Sequence, residues 1–161
     1  MKKGILIVIV CCLLSGCAAP TFETLGDVLH EPVMAPSEQL IHLSIPKNAA
    51  AETLSSEQTA YVCDNYSFWM QTMASGDLKT TVKALSGFTP DKLTVMESRS
   101  GSYKRYDWTW TAAGESGDLV FRAAVIDDGN YHYCVSSMAD AEDMAQIQED
   151  WNALFSSFAV S

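Results

Sequence analysis

The sequence predicts an α+β domain in which a twisted antiparallel sheet is packed against helices. Apolar and polar residues alternate along several segments of the C-terminal half, and turn-forming residues separate these segments. The final segment instead carries one apolar stripe with helical spacing. Strands joined by short turns form an antiparallel meander, and a helix with one apolar stripe buries it against such a sheet.

The N-terminal half of the predicted domain contains two extended segments. The domain is expected to begin near Gln39, and the apolar segment 40–45 ends before Pro46, which indicates a first strand. The polar segment 47–59 indicates a loop. Residues 61–70 are rich in aromatic residues and indicate a second extended segment.

A short helix follows. Leu78, Val82 and Leu85 recur at the spacing of one helical face. Asp77 is expected to cap the N-terminus of this helix, and Gly87 stands where a left-handed C-terminal cap is common.

Four further strands are predicted to form the meander. Tyr106, Trp108 and Trp110 alternate with polar residues in the second of these strands, which gives a clear period of two. The predicted strands cover 93–99, 106–112, 119–126 and 131–138, with turns at 100–102, 114–118 and 127–130.

The C-terminal segment is predicted to be a long helix that begins at an Asp140 N-cap. Its apolar residues lie on one face, so we expect this helix to pack on the sheet. The stripe consists of Met144, Ile147, Trp151, Leu154, Phe155 and Phe158.

This order of strand, extended segment, helix, four-strand meander and C-terminal helix resembles the Mog1/PsbP-like fold over about residues 39–161. The resemblance is one of topology. It implies an accessory or binding protein rather than an enzyme, although a fold alone does not determine a function.

The N-terminus has the pattern of a lipoprotein export signal. Two lysines precede an apolar run that is too short to span a bilayer, and the segment 14–17 reads Leu-Ser-Gly-Cys. This tetrapeptide resembles the lipobox of bacterial lipoproteins, which implies cleavage before Cys17 and lipidation of its thiol by a diacylglyceryl group. The chain also looks like lipoproteins of Firmicutes.

The lipobox resemblance implies three regions: a signal peptide over 1–16, a lipidated N-terminus and proline-containing tether over 17–38, and one α+β domain over 39–161. Two or three acyl chains would anchor the protein stably on the extracytoplasmic face of the cell membrane. In a host with two membranes, the resemblance to the lipoprotein sorting pattern implies that Ala18, standing in place of an aspartate after the lipidated cysteine, would not hinder sorting to the outer membrane.

The charge balance argues against nucleic-acid partners. The chain has 10 basic and 20 acidic residues, and without Lys2 and Lys3 only eight basic residues remain, a net charge of −12. Such a chain repels phosphate backbones, because that attraction requires lysine and arginine.

Two of the five cysteines are expected to lie within the folded domain, because Cys11 and Cys12 belong to the predicted signal and Cys17 is expected to carry lipid. Cys63 and Cys134 would either form a disulfide, which persists outside the cytoplasm, or pack as two separate buried thiols.

Motifs for catalysis, metals and cofactors are absent from the sequence. His30, His42 and His132 lack metal-ligand spacing, and no nucleophile elbow or phosphate-binding loop is present. The acidic turn at 127–130 lacks the distal ligands of a calcium loop and fits a hairpin instead. We therefore expect no metal and no cofactor.

The aromatic residues of the meander are the candidate binding residues. An exposed stripe could stack sugar rings or anchor a protein, since tryptophan and tyrosine offer large contact areas. The alternative is that the stripe forms the core beneath the C-terminal helix. The set consists of Tyr106, Trp108, Trp110, Tyr131 and Tyr133.

The sequence therefore favours a non-enzymatic, membrane-anchored domain that binds a protein or another cell-envelope partner. The alternative is a receptor for a glycan or small ligand that uses the aromatic stripe. A third reading is a hydrolase whose catalytic groups converge from distant positions.

Overall fold

The structure is a computed structural model that describes residues 36–55 and 58–161. The predicted signal peptide (1–16), the predicted lipidation site Cys17 and most of the predicted tether (17–38) lie outside the described residues. No helix in the described part of the chain is long and apolar enough to cross a membrane.

Nine strands and two α-helices make up the described residues. The strands are β1 (Ile41–His42), β2 (Ala50–Thr53), β3 (Gln58–Val62), β4 (Tyr66–Ala74), β5 (Met96–Ser100), β6 (Tyr103–Ala113), β7 (Asp118–Asp127), β8 (Tyr131–Asp140) and β9 (Ala159–Val160). The helices are α1 (Leu78–Ser86) and α2 (Met144–Ser157).

Seven strands form one antiparallel sheet in the order β2-β3-β4-β8-β7-β6-β5. Strands β5 to β8 are consecutive neighbours in this sheet, which confirms the predicted four-strand meander. The β3–β4 hairpin joins it through β4, whose register with β8 runs from Tyr66 opposite Ala139 to Ala74 opposite Tyr131. Strands β1 and β9 pair separately as a short two-stranded sheet.

The two helices lie on opposite faces of the seven-stranded sheet. Ala124 and Ile126 of β7 pack in one apolar cluster with residues of α2, whereas Ala123 and Val125 pack in another with Val82 of α1. Because neighbouring residues of a strand point to opposite faces, each helix covers its own face. We call these the α2 face and the α1 face.

Helix α1 has the predicted caps at both of its termini. Asp77 Oδ1 accepts a hydrogen bond from the Lys79 backbone N–H at 3.1 Å. Gly87 has φ of 77° and donates its N–H to the Lys83 carbonyl at 2.8 Å. These contacts satisfy backbone groups that a helix leaves free at its termini.

Helix α2 buries the predicted stripe through Ile147, Trp151, Leu154 and Phe155, but it does not start at Asp140. Asp140 pairs with Leu119 as the last residue of β8, and its side chain makes no capping hydrogen bond. Since this pairing keeps Asp140 extended, the chain turns through a short 3₁₀ segment, Ala141–Asp143, before α2 begins.

The predictions for the N-terminal half were partly wrong. The predicted loop 47–59 contains β2 and the beginning of β3, and the predicted single segment 61–70 is a hairpin. The Cys63 N–H donates to the Tyr66 carbonyl at 2.9 Å and closes a turn around Asp64. The turn residues Asp64 and Asn65 are both turn-forming types, a local signal within the aromatic run that the prediction of one continuous segment overlooked.

Of the two alternatives for Cys63 and Cys134, the structure has the two separate buried thiols and not the disulfide. Cys63 packs in the cluster on the α2 face, and Cys134 packs in the cluster on the α1 face. The sheet therefore separates the two thiols. Burial raises the pKa of the Cys63 thiol and raises that of Cys134 to about 12.

Candidate functional site

The five predicted binding aromatics do not form one stripe. Strand β7 lies between β6 and β8, so the residue aligned with Tyr106 through Val125 is Cys134. Tyr133 is one position away and points to the opposite face. Tyr106, Trp108 and Trp110 consequently lie on the α1 face, while Tyr131 and Tyr133 lie on the α2 face.

Most of the β6 aromatics belong to the core. Tyr106 and Trp108 are buried with Val82 of α1. The core alternative placed these residues beneath the C-terminal helix, but the helix that covers them is α1. Trp110 is half-buried and stacks on Phe121 with ring centroids 5.0 Å apart and planes inclined by 8°. Only Trp110 of these three retains a substantial accessible surface.

The two β8 tyrosines hold the start of the described chain. The Tyr131 hydroxyl donates to the Pro36 carbonyl at 2.8 Å, and the Gln39 N–H donates to the Tyr133 hydroxyl at 2.9 Å. The Tyr133 hydroxyl itself donates to Asp128 Oδ2 at 2.9 Å. These contacts give Tyr131 and Tyr133 a structural role at the point where the chain enters the domain.

The same network perturbs two pKa values. Burial is the main cause that raises the pKa of Tyr133 to about 12. Burial alone would raise the pKa of Asp128, but hydrogen bonds from the Tyr131 and Asn130 backbone N–H groups and from Tyr133 outweigh it and lower that pKa.

A concave groove lies on the α2 face of the described part of the chain. It lies between α2 and strands β5 to β7 and has a volume of about 490 Å³. The register places Met96 opposite Asp107 and Thr109 opposite Arg122, so all four side chains share this face. We call it the α2 groove; its other lining residues include Met144, Gln148, Trp151 and Asn152.

Arg122 places a positive charge without a direct ion-pair partner in the described chain at the α2 groove. Its guanidinium lies 4.3 Å from the centre of the Phe155 ring, and Nη1 donates to Asn152 Oδ1 at 3.3 Å. No carboxylate of residues 36–55 and 58–161 forms an ion pair with it. Burial is the main cause that lowers the pKa of this guanidinium, because a partly desolvated charge is disfavoured. The nearby Asp107 carboxylate acts in the opposite direction, and the Arg105 guanidinium adds to the lowering.

Arg105, the other arginine on this face, is fully engaged. It forms a two-pronged ion pair with Asp107, with N···O distances of 2.7 and 2.9 Å. It also donates to the carbonyls of Phe155 and Phe158 at the C-terminal end of α2, at 2.7 and 3.2 Å. Arg105 and Asp107 therefore fasten α2 to β6, and Asp107 forms its direct ion pair with Arg105 rather than with Arg122.

Apolar walls surround the charge. Trp151 is buried against the sheet, and its Nε1 has no hydrogen-bond partner in the described chain. Met96 is 62% exposed at the outer strand, and Met144 lies at the start of α2. Methionine side chains adapt readily to differently shaped ligands. The groove thus combines a fixed charge with adaptable apolar contacts.

Sequence reasoning missed the α2 groove because it considered only the aromatic residues of β6 as candidates for binding and not the polar residues between them. One signal was present: Arg122 is the only charged residue inside the apolar run 119–126. A charge placed among core-facing positions is unusual unless it is paired or used.

A second polar cluster resembles a catalytic arrangement but is closed to solvent. His132 Nδ1 lies 2.7 Å from Thr81 Oγ1, and His132 Nε2 lies 3.7 Å from Asp127 Oδ2. Thr81 is 3% exposed and His132 is fully buried. A nucleophile must contact its substrate, so this cluster in its described form does not support the hydrolase reading. The described residues contain no group of three or more metal-binding side chains.

Comparison with known proteins identifies the fold. No protein-family model and no curated protein sequence matches this chain. Among solved structures, the chain is similar to cyanobacterial PsbP (CyanoP) from Synechocystis sp. PCC 6803, with a TM-score of 0.58, 8% identity, and coverage of 75% of this chain and 86% of that one.

The chain is also similar to the Ran-binding protein Mog1p of Saccharomyces cerevisiae, with a TM-score of 0.52 and 14% identity. That alignment covers 74% of this chain and 89% of Mog1p. The shared architecture is an antiparallel sheet with two helices, one of them C-terminal. The domain therefore has the Mog1/PsbP-like α+β fold, as the order of its sequence elements predicted.

Proposed function

We propose that this protein is an extracytoplasmic lipoprotein whose domain acts as a non-enzymatic accessory module and binds a protein partner in the α2 groove. The observation that carries the proposal is Arg122, a half-buried cation without an ion-pair partner in the described chain, set in a groove with apolar walls. An unpaired charge in a partly buried place costs free energy, so its presence favours a role in binding.

The anchor part of the proposal rests on the lipobox at 14–17. Replacing Cys17 by serine removes the thiol that would carry lipid. We expect the wild-type protein to fractionate with membranes and to carry acyl mass, and the Cys17→Ser variant to appear in the soluble fraction. A variant that stayed in the membrane, together with an unmodified wild-type mass, would rule out lipid anchoring.

The groove part of the proposal can be tested by site-specific photocrosslinking in the source cells. A photoreactive amino acid at Gln148 would face the groove, whereas the same group at Glu149, the next residue of α2, would lie on an exposed position outside it. We expect a discrete protein adduct from position 148 that is weak or absent from position 149. Equal labelling from both positions would contradict a partner seated in the groove.

A glycan receptor is the second candidate, favoured by the half-exposed Trp110 stacked on Phe121. Sugar rings stack on such aromatic surfaces. Under this alternative, Trp110→Ala would abolish binding to purified cell-wall glycan and Arg122→Gln would not. Under the proposed function, Trp110→Ala would leave the adduct from position 148 unchanged.

A further inference from the structure

We infer that the α2 groove recognises an acidic peptide segment of the partner, in which a carboxylate flanked by apolar residues pairs with Arg122. This inference rests on the proposed function and specifies the chemistry of the bound segment.

Arg122 has more hydrogen-bond donors than the described residues accept from it. A guanidinium has five N–H donors, and the described residues accept one hydrogen bond from this one, at Asn152 Oδ1. Asp107, the carboxylate on the same face, is already bound by two nitrogens of Arg105. The remaining donors of Arg122 are therefore available to a carboxylate, which an arginine binds through two parallel hydrogen bonds.

The negative charge of the rest of the protein should restrict the binding of an acidic residue to the neighbourhood of Arg122. The chain as a whole carries 20 acidic and 10 basic residues, so most of the protein repels an acidic peptide. A site with an unpaired arginine would thus position the acidic residue of a bound segment at one place. Electrostatic complementarity of this kind fixes register and excludes wrong partners.

The rim of the groove suits a peptide backbone better than an acyl chain. Thr94, Thr109, Gln148 and Asn152 line the groove and are solvent-exposed. Their hydroxyl and amide groups can bind the N–H and C=O groups of an extended peptide. The hydrocarbon chain of a fatty acid offers no hydrogen-bonding partners to these polar groups.

The experiment uses the full chain purified in detergent and a phage library of random heptapeptides. We expect selected peptides to contain an aspartate or glutamate next to apolar residues. A selected peptide should bind the Arg122→Gln variant about 10- to 100-fold more weakly, the usual effect of losing a hydrogen bond to a charged group. The matched control is Arg99→Gln, an exposed arginine of β5 outside the groove lining, which should bind as the wild type does.

A double-mutant cycle then assigns the contact. Replacing the acidic residue of the peptide by its amide should weaken binding to the wild type but have little further effect on Arg122→Gln. Circular dichroism of each variant shows that its fold is retained. Peptides selected without acidic residues, or additive effects in the cycle, would overturn the inference.

Two further outcomes separate this inference from the proposed function. If position 148 still captures a partner in cells while the library yields no acidic peptides, the proposed function stands and the acidic-peptide inference fails. If neither experiment finds binding, the groove is not the binding site. Arg122-dependent binding of a fluorescent dodecanoate in place of any peptide would also overturn the inference, because the ligand would then be a fatty acid.

Discussion

The two half-buried arginines of the α2 face should respond very differently to replacement by methionine. Arg105 forms a two-pronged ion pair with Asp107 and donates to two carbonyls at the end of α2. Removing it leaves the Asp107 carboxylate, which is 16% exposed, without its partner. Breaking a buried pair in this way costs about 3–5 kcal/mol, so we expect Arg105→Met to lower the free energy of unfolding by that amount.

Arg122→Met should instead leave stability almost unchanged. The variant loses a cation–π contact with Phe155, worth about 0.5–2 kcal/mol, and one long hydrogen bond from a charged group, worth about 1.5 kcal/mol at the low end of its range. It also removes a half-buried charge without an ion-pair partner, whose complete desolvation would cost more than the about 1–3 kcal/mol of a neutral polar group, and a methionine retains contact with the ring. The opposing contributions are similar, so the net change should lie within about 1 kcal/mol of zero.

Urea unfolding followed by circular dichroism measures both variants on the same scale. The predicted result is a large decrease in the midpoint for Arg105→Met and a small shift for Arg122→Met, with unchanged slopes. If Arg122→Met destabilised the domain as strongly as Arg105→Met, Arg122 would be a structural residue. The argument that its unpaired charge is kept for binding would then be refuted.

Three other predictions follow from the core and its hydrogen bonds. Cys63 and Cys134 should resist alkylation at pH 8 in the folded protein and react fully in urea, and a reducing agent should not shift the melting temperature; a shift would indicate a disulfide. The pKa of Asp128 lies below its ordinary value of 3.8 and that of Tyr133 is raised from 10.0 to about 12, so unfolding experiments across pH should show stability falling below pH 3.8 and again between pH 10 and about 12. The alkaline loss should diminish in Tyr133→Phe, and an unchanged loss would contradict its assignment. Asp77→Ala should cost about 0.5–2 kcal/mol in the same urea assay by removing the α1 cap, and no loss would contradict a capping role.

The parts of the fold with strong local signals could be predicted from the sequence. Asp77 and Gly87 bracket α1 as expected, because capping depends on residues within one helical turn. The turns around Gly101 and Gly129 both have positive φ, which glycine adopts without strain, and they set the meander. The stripe on α2 also emerged correctly, since it follows from helical spacing alone.

The aromatic stripe, the Asp140 cap and the α2 groove were mispredicted or missed for a different physical reason, which is dependence on distant pairing. Whether Tyr133 shares a face with Tyr106 depends on the register of both strands with β7, and no local pattern contains that information. Likewise, Asp140 stays in β8 because Leu119 pairs with it. The role of Arg122 emerges only when β6, β7 and α2 are assembled, because the groove and the Arg105–Asp107 pair come from three separate elements.

The most direct test of the binding role compares photocrosslinking from position 148 in the wild-type background and in the Arg122→Met background. Both proteins should be equally abundant, because Arg122→Met is expected to leave stability intact. The account predicts a discrete partner adduct with Arg122 present and its loss in Arg122→Met, with no adduct from position 149 in either background. An adduct of equal intensity in both backgrounds would contradict the claim that Arg122 holds the partner in the α2 groove.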